Sequence, residues 1–81
     1  MKAKYVIIEI RPMLEAPLLS PADALVTHAE LAGKHPVVAA GFCHIDGAEV
    51  LAHGESVGLK IHSRGRQDAE LIAKHFCGVP S

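Results

Sequence analysis

The stretch PVVAAGFCHIDGAEVLAHGES (Pro36–Ser56) decides the fold. Two apolar runs flank Asp46-Gly47, a dipeptide suited to a two-residue hairpin turn because glycine accepts positive φ without steric cost. The expected register sets Ile45 opposite Ala48, His44 opposite Glu49, Cys43 opposite Val50, Phe42 opposite Leu51 and Ala40 opposite His53. Side chains alternate along a strand. One face therefore carries Val37, Ala39, Gly41, Cys43 and Ile45 with Ala48, Val50 and Ala52, all apolar and many small enough for close helix packing. The other carries Val38, Ala40, Phe42 and His44 with Glu49, Leu51, His53 and Glu55. That mixed face is too apolar to stand in water throughout, so Val38, Phe42, Leu51 and His53, or alternatively a sheet edge, are the expected interface of a homodimer.

On the N-terminal side, KYVIIEI (Lys4–Ile10) is rich in β-branched residues and closes at Pro12, which predicts a strand. Val6, Ile8 and Ile10 point one way and Tyr5, Ile7 and Glu9 the other; both faces are partly apolar, as in a central strand. RPMLEAPLL holds two prolines and reads as a loop. SPAD then predicts a helix start, with Ser20 as N-cap, Pro21 in the first helical position and Asp23 three residues after the cap. Ala22, Leu25, Val26, Ala29 and Ala32 recur at helical spacing up to Gly33, with His28 at the edge of the stripe.

On the C-terminal side, VGLKIH (Val57–His62) is a candidate short strand with Leu59 and Ile61 inward. A second helix is expected over Arg66–Phe76, with Ala69, Ile72, Ala73 and Phe76 as its stripe, a Glu70–Lys74 pair, and Gly78 and Pro80 as its stop. The whole predicts one small α+β domain over residues 1–81, in the order β-α-β-β-(β)-α. Its sheet is three- to four-stranded and mainly antiparallel, with two helices packed on one face.

Eight basic residues balance nine acidic ones, which argues against a nucleic-acid surface, and Tyr5, Phe42 and Phe76 are too few for a base-stacking platform. The lysines and apolar run of MKAKYVIIEIRP do not make a signal peptide, since Glu9 and Arg11 interrupt the run. No stretch has the length of a membrane span. Cys43 and Cys77 form neither a disulfide framework nor a C-x-x-C pair and read as reduced thiols. The expected place is the cytoplasm.

His35, His44, His53 and His62 stand nine residues apart, which first suggests chelation. A metal site needs three or four ligands about 2 to 2.3 Å from one point. In the expected register His53 lies four residues beyond the position opposite His44, roughly 13 Å at about 3.3 Å per residue. The ladder therefore predicts no metal site, and no cofactor fingerprint is present. Cys43 and His44 are strand neighbours that face opposite ways, so they form no dyad. The general-base candidate is His28. GESVG (Gly54–Gly58) forms a turn whose backbone could meet an anion, with Lys4 and Lys60 able to supply charge.

These segments, KYVIIEI, AGFCHI, VLAHGESVG and a helix ending ELIAKHF, together resemble the janus/ocnus family, which includes the phosphohistidine phosphatases. The resemblance spans most of the chain. It implies an anion site in which Lys4 matches the family's lysine, His44 stands where the family has an arginine, and Ser56 with Gly58 forms the phosphate-binding turn. The family's catalytic base is a histidine at the start of the first helix. Aligning THAELAG to that helix start makes His28 the base; aligning SPAD instead places Ser20 there and leaves none, and the N-cap reading of SPAD favours the second alignment. The chain departs from the family in having Glu55 at its aromatic position, in lacking the arginine, and in a shorter connection from first strand to hairpin. Two functions are thus expected: a non-enzymatic, homodimeric binding module, or a phosphate- or anion-binding or phosphohistidine phosphatase-like domain.

Overall fold

The computed structural model describes residues 1–47 and 49–77, apart from the Cys77 side chain. The expected Ile45–Ala48 pair, the Cys77 thiol and the helix stop at Gly78 and Pro80 lie outside the described residues. Strand β1 (Lys2–Arg11) occupies the middle of a four-stranded antiparallel sheet. It is flanked by β2 (Leu14–Pro21) and β3 (Val37–Asp46), and β4 (Glu49–His53) pairs outside β3. A second, two-stranded sheet joins β5 (Glu55–Ser56) to β6 (Ile61–His62). Helix α1 spans His28–Ala32, and α2 spans Arg66–Ile72 before running into a π-type turn over Ala73–Cys77. The α+β class is the expected one. None of the helices among the described residues is long and apolar enough to cross a membrane.

The two-sided alternation of β1 produces two cores. Ala3, Tyr5 and Ile7 pack with Ala39, Cys43 and Ile72 of α2 on one face. Val6 and Ile8 pack with Ala40 and Ala32 of α1 on the other, and Leu59 and Ile61 close that side, inward as expected. The helices therefore cover opposite faces of the sheet, not one. The reason is β1 itself, where Tyr5, Val6 and Ile7 are all fully buried, so each face needs its own cover.

The segment between β1 and α1 differs most from expectation. Leu14–Pro21 is a strand, not a loop running into a helix, and it pairs with β1 from Ala3↔Pro21 to Arg11↔Leu14. Pro17 and Pro21 are tolerated because β2 is an edge strand, where a missing N–H can face solvent. Ser20 is buried opposite Lys4 and caps nothing. Leu25, assigned to a helical stripe, is 98% exposed. The helix begins seven residues later, at a second signal of the same kind: the Thr27 hydroxyl accepts from Glu30 N and the Glu30 side chain accepts from Thr27 N, a complete capping box.

The β3–β4 hairpin forms, but its register is displaced. Asp46 pairs with Glu49, Ile45 with Val50, His44 with Leu51, Cys43 with Ala52 and Phe42 with His53. A slip of two residues leaves each side chain on its expected face. It does move partners along the strand, and His44 and His53 now stack with ring centroids 5.7 Å apart, not roughly 13 Å. A bulge where β3 passes Ile7 and Ile8 rotates Val38 onto the α2 side, where it packs against the Tyr5–Ile72 core.

β4 covers only the Phe42–Asp46 half of β3, so the β3 edge is open beyond Gly41. The returning chain crosses from one face to the other there, and Gly41 makes this possible. A Cβ on Gly41 would collide with the His53 carbonyl oxygen and come within 3.1 Å of Ser63 Cβ. Once across, the chain is tied down by Asp68, which is fully buried in the first turn of α2. Its Oδ2 accepts from the Tyr5 hydroxyl at 2.6 Å and from Arg64 N at 2.8 Å, and its Oδ1 accepts from Arg64 Nε at 2.7 Å. Arg64 continues the network by donating Nη2 to Glu15 of β2 at 2.8 Å. Tyr5 thus links β1, α2 and, through Arg64, β2.

Candidate functional site

Lys4, His28 and the Ser56–Gly58 turn come from three separate parts of the chain, and they line one cleft of about 520 Å³. Thr27, Ala29, Phe42, Glu55 and Val57 complete its wall. Each arrives by a local rule. Lys4 follows from alternation: Tyr5 belongs to the α2 core, so its neighbour turns to the α1 side. Its ammonium donates to the Val26 carbonyl just before α1, which leaves two further N–H bonds for a ligand.

His28 is the first residue of α1, placed there by the Thr27 cap. It is buried, and its Nε2 lies 2.9 Å from the Gly41 carbonyl oxygen. A carbonyl can only accept, so Nε2 carries the proton. In the neutral ring Nδ1 is then the unprotonated nitrogen, available as a base. Phe42 meets the same imidazole edge to face, with centroids 5.3 Å apart and planes at 84°. Phe42 is positioned in turn by Gly54, whose φ of 83° turns the chain at a point where a Cβ would lie 3.2 Å from the Phe42 ring.

Ser56 is buried at the end of β5. Its Oγ accepts from Leu59 N at 3.3 Å, closing the Val57–Lys60 turn and leaving the hydroxyl proton to be donated elsewhere. Gly58 lines the cleft with backbone alone. Lys60 adopts φ 56°, as the end of this turn requires, but it is not part of the cleft wall.

Other expected positions fall elsewhere. His44 is exposed and stacked on His53, outside the cleft wall. Val38 is in the α2-side core and Phe42 faces His28, so the four proposed interface residues do not form one surface. Leu51 remains 69% exposed on the edge strand β4, beside the stacked histidines. Among the described residues no group of three or more His, Cys, Asp or Glu could hold a metal ion.

Sequence reasoning missed the Tyr5–Asp68–Arg64 network and the part Phe42 plays in the cleft. Asp68 had a legible signal, being an acid three residues after Gly65 at a helix start. The start of α1 is the other informative correction. The first helix opens at His28 behind the Thr27 cap, so THAELAG and not SPAD is its start. Comparisons with protein-family models, with curated proteins and with solved structures give no match.

Proposed function

We propose that this cleft binds a phosphoryl group and that His28 acts as the base for its transfer to water, in the manner of a phosphohistidine phosphatase. The observation that carries the reading is the convergence of Lys4, His28, Ser56 and Gly58 on one cleft. Lys4 supplies positive charge, Ser56 a hydroxyl donor, and His28 an unprotonated Nδ1. Water gives its proton to Nδ1 as its oxygen bonds to phosphorus, and the bond to the leaving group breaks with its electron pair going to that group. The resemblance to the janus/ocnus family supports the reading in part: it assigns Lys4, Ser56 and Gly58 to the anion site, and His28 to the base in the alignment that starts the first helix at THAELAG.

The test has two stages. Inorganic phosphate is titrated while backbone amide shifts are followed, and shifts centred on Ser56–Gly58 are expected; silence there would end the reading. Release of phosphate from a phosphohistidine peptide is then measured. His28→Ala should lower the rate about a hundredfold or more, and Lys4→Met should weaken phosphate binding with the fold intact.

A homodimer is a second reading, and the observation that favours it is the exposure of Leu51 on the unpaired edge of β4. Edge strands with an exposed apolar residue invite pairing with another chain. Light scattering at high micromolar concentration decides it, with Leu51→Lys expected to give the monomer.

A further inference from the structure

The two edges of the four-stranded sheet are guarded differently. β2 carries Pro17 and Pro21, residues that deter the addition of another strand. β4, at the other edge, carries neither proline nor lysine, and within the sheet it pairs with β3 alone. Leu51 stands exposed at its centre. The inner face of β4 needs no partner, since Val50 and Ala52 already pack against the α2-side core. What remains open is the backbone edge and the face that carries Glu49, Leu51 and His53.

The charges along β4 show which strand fits there. At the hairpin end Glu49 stands directly opposite Asp46, an unfavourable pairing of like charges. At the other end His53 stacks on His44, and Lys2 lies over the ring of Phe42, the residue directly opposite His53. One end of the strand is acidic and the other basic, so in antiparallel order the pattern complements itself. A twofold axis normal to the sheet keeps the faces of both copies aligned, and only residues of the same face can then stand opposite each other. The register centred on Leu51 is the one that pairs all five residues of β4. We infer that β4 is the interface for a second copy of this chain, added antiparallel in that register. Leu51 meets Leu51 of the second copy, Val50 meets Ala52, and Glu49 meets His53. Neutral or protonated, the imidazole offers an N–H to the carboxylate, and symmetry makes this contact twice.

This inference rests on the homodimer reading, and one experiment separates the two. Sedimentation equilibrium is run on the wild type, on Glu49→Lys, on His53→Glu, and on an equimolar mixture of the two variants. Both positions are exposed, so the fold of the single chain tolerates either change. Glu49→Lys sets a cation opposite His53 of the second copy, and His53→Glu sets an acid opposite Glu49. Each variant alone should dimerise about tenfold more weakly, because two exposed charge contacts are reversed at once. In the mixture the introduced cation meets the introduced acid and the native Glu49–His53 contact is kept once. A heterodimer at least as tight as the wild-type dimer is therefore expected. Variants that dimerise like the wild type, or weakened variants that do not recover on mixing, would overturn this register while leaving a homodimer standing. A wild type that stays monomeric at high micromolar concentration would overturn both.

Discussion

Replacing Tyr5 by phenylalanine removes a single oxygen from the point where β1, α2 and the chain crossing at Gly41 meet. The Tyr5 hydroxyl lies 2.6 Å from Asp68 Oδ2 and 2.5 Å from Ser63 Oγ. Having one proton, it donates to the carboxylate, and the Ser63 hydroxyl donates to it. A hydrogen bond to a charged group contributes about 1.5–3 kcal/mol. Asp68 keeps its two bonds from Arg64, so Tyr5→Phe should cost within that range and not the larger penalty of an isolated buried charge. At 4–8 °C per kcal/mol for a domain of this size, Tm should fall by roughly 6–24 °C.

The same oxygen predicts an alkaline transition. Burial, reinforced by the bond to Asp68, raises the Tyr5 phenol well above its ordinary value of 10.0, against a smaller lowering by Ser63. From pH 10 upward the unfolded chain releases this proton and the folded chain keeps it. The folded state then binds more protons, so stability is complete below pH 10 and falls by about 1.4 kcal/mol per pH unit above it. Arg64, raised above its ordinary value chiefly by its bond to Glu15, adds loss of the same sign only at still higher pH. The chain has one tyrosine and no tryptophan, so phenolate absorbance reports Tyr5 alone. The absorbance of the folded protein should stay flat through pH 10 and rise only with unfolding, while the chain in denaturant titrates normally. In Tyr5→Phe the loss of stability above pH 10 should be shallower by this one proton. A phenol that titrates at its ordinary value in the folded protein, or an unchanged Tm in Tyr5→Phe, would refute the network.

Three further outcomes follow from the geometry. Gly41→Ala forces a Cβ onto the His53 carbonyl and against Ser63, an overpacking that costs about 1–3 kcal/mol or more; denaturant unfolding should show the loss, and the ring resonances of His28 should shift with the Gly41 carbonyl that holds it. Met13 adopts φ 66° in the β1–β2 turn and is 99% exposed, so Met13→Gly relieves a left-handed conformation that costs about 1–2 kcal/mol; part of this is returned to unfolded-chain entropy, and calorimetry should find Tm raised by a few degrees at most. Thr27→Ala removes the cap that opens α1 at His28, at about 1 kcal/mol; hydrogen exchange should speed up at Glu30, whose amide loses its acceptor.

Much of the fold could be read directly. The β-branched run of β1 has no polar face, and that alone marks a central strand. Asp46-Gly47 signals a hairpin, and from Ala39 onward the faces of its two strands follow from alternation, which a slip of two residues does not disturb; only the bulge that turns Val37 and Val38 was not legible. Lys4, His28, Ser56 and Gly58 could be named as candidates because their residue types suit an anion site. Local rules set how each side chain is presented, but the meeting of Lys4, His28 and the Ser56–Gly58 turn in one cleft could not be derived, because it depends on long-range packing of three chain segments.

The limits are equally specific. Ser20-Pro-Ala-Asp23 and Thr27-His-Ala-Glu30 are both helix-start patterns, and local chemistry does not choose between them. Pairing of Leu14–Pro21 with β1 chooses: once Ser20 is committed to the edge strand, the second pattern is the one left to open a helix. That choice puts His28 at the head of α1 and in the cleft. Likewise the sequence offers glycines on either side of the hairpin, but only the crowding of His53, Gly41 and Ser63 at the chain crossing shows which one must lack a side chain. Side-chain type and periodicity are local properties, and they determined which elements could form and which groups could do chemistry. Register, the side on which each helix packs and the convergence of the cleft depend on contacts between residues far apart in the chain, and those only the tertiary structure decided.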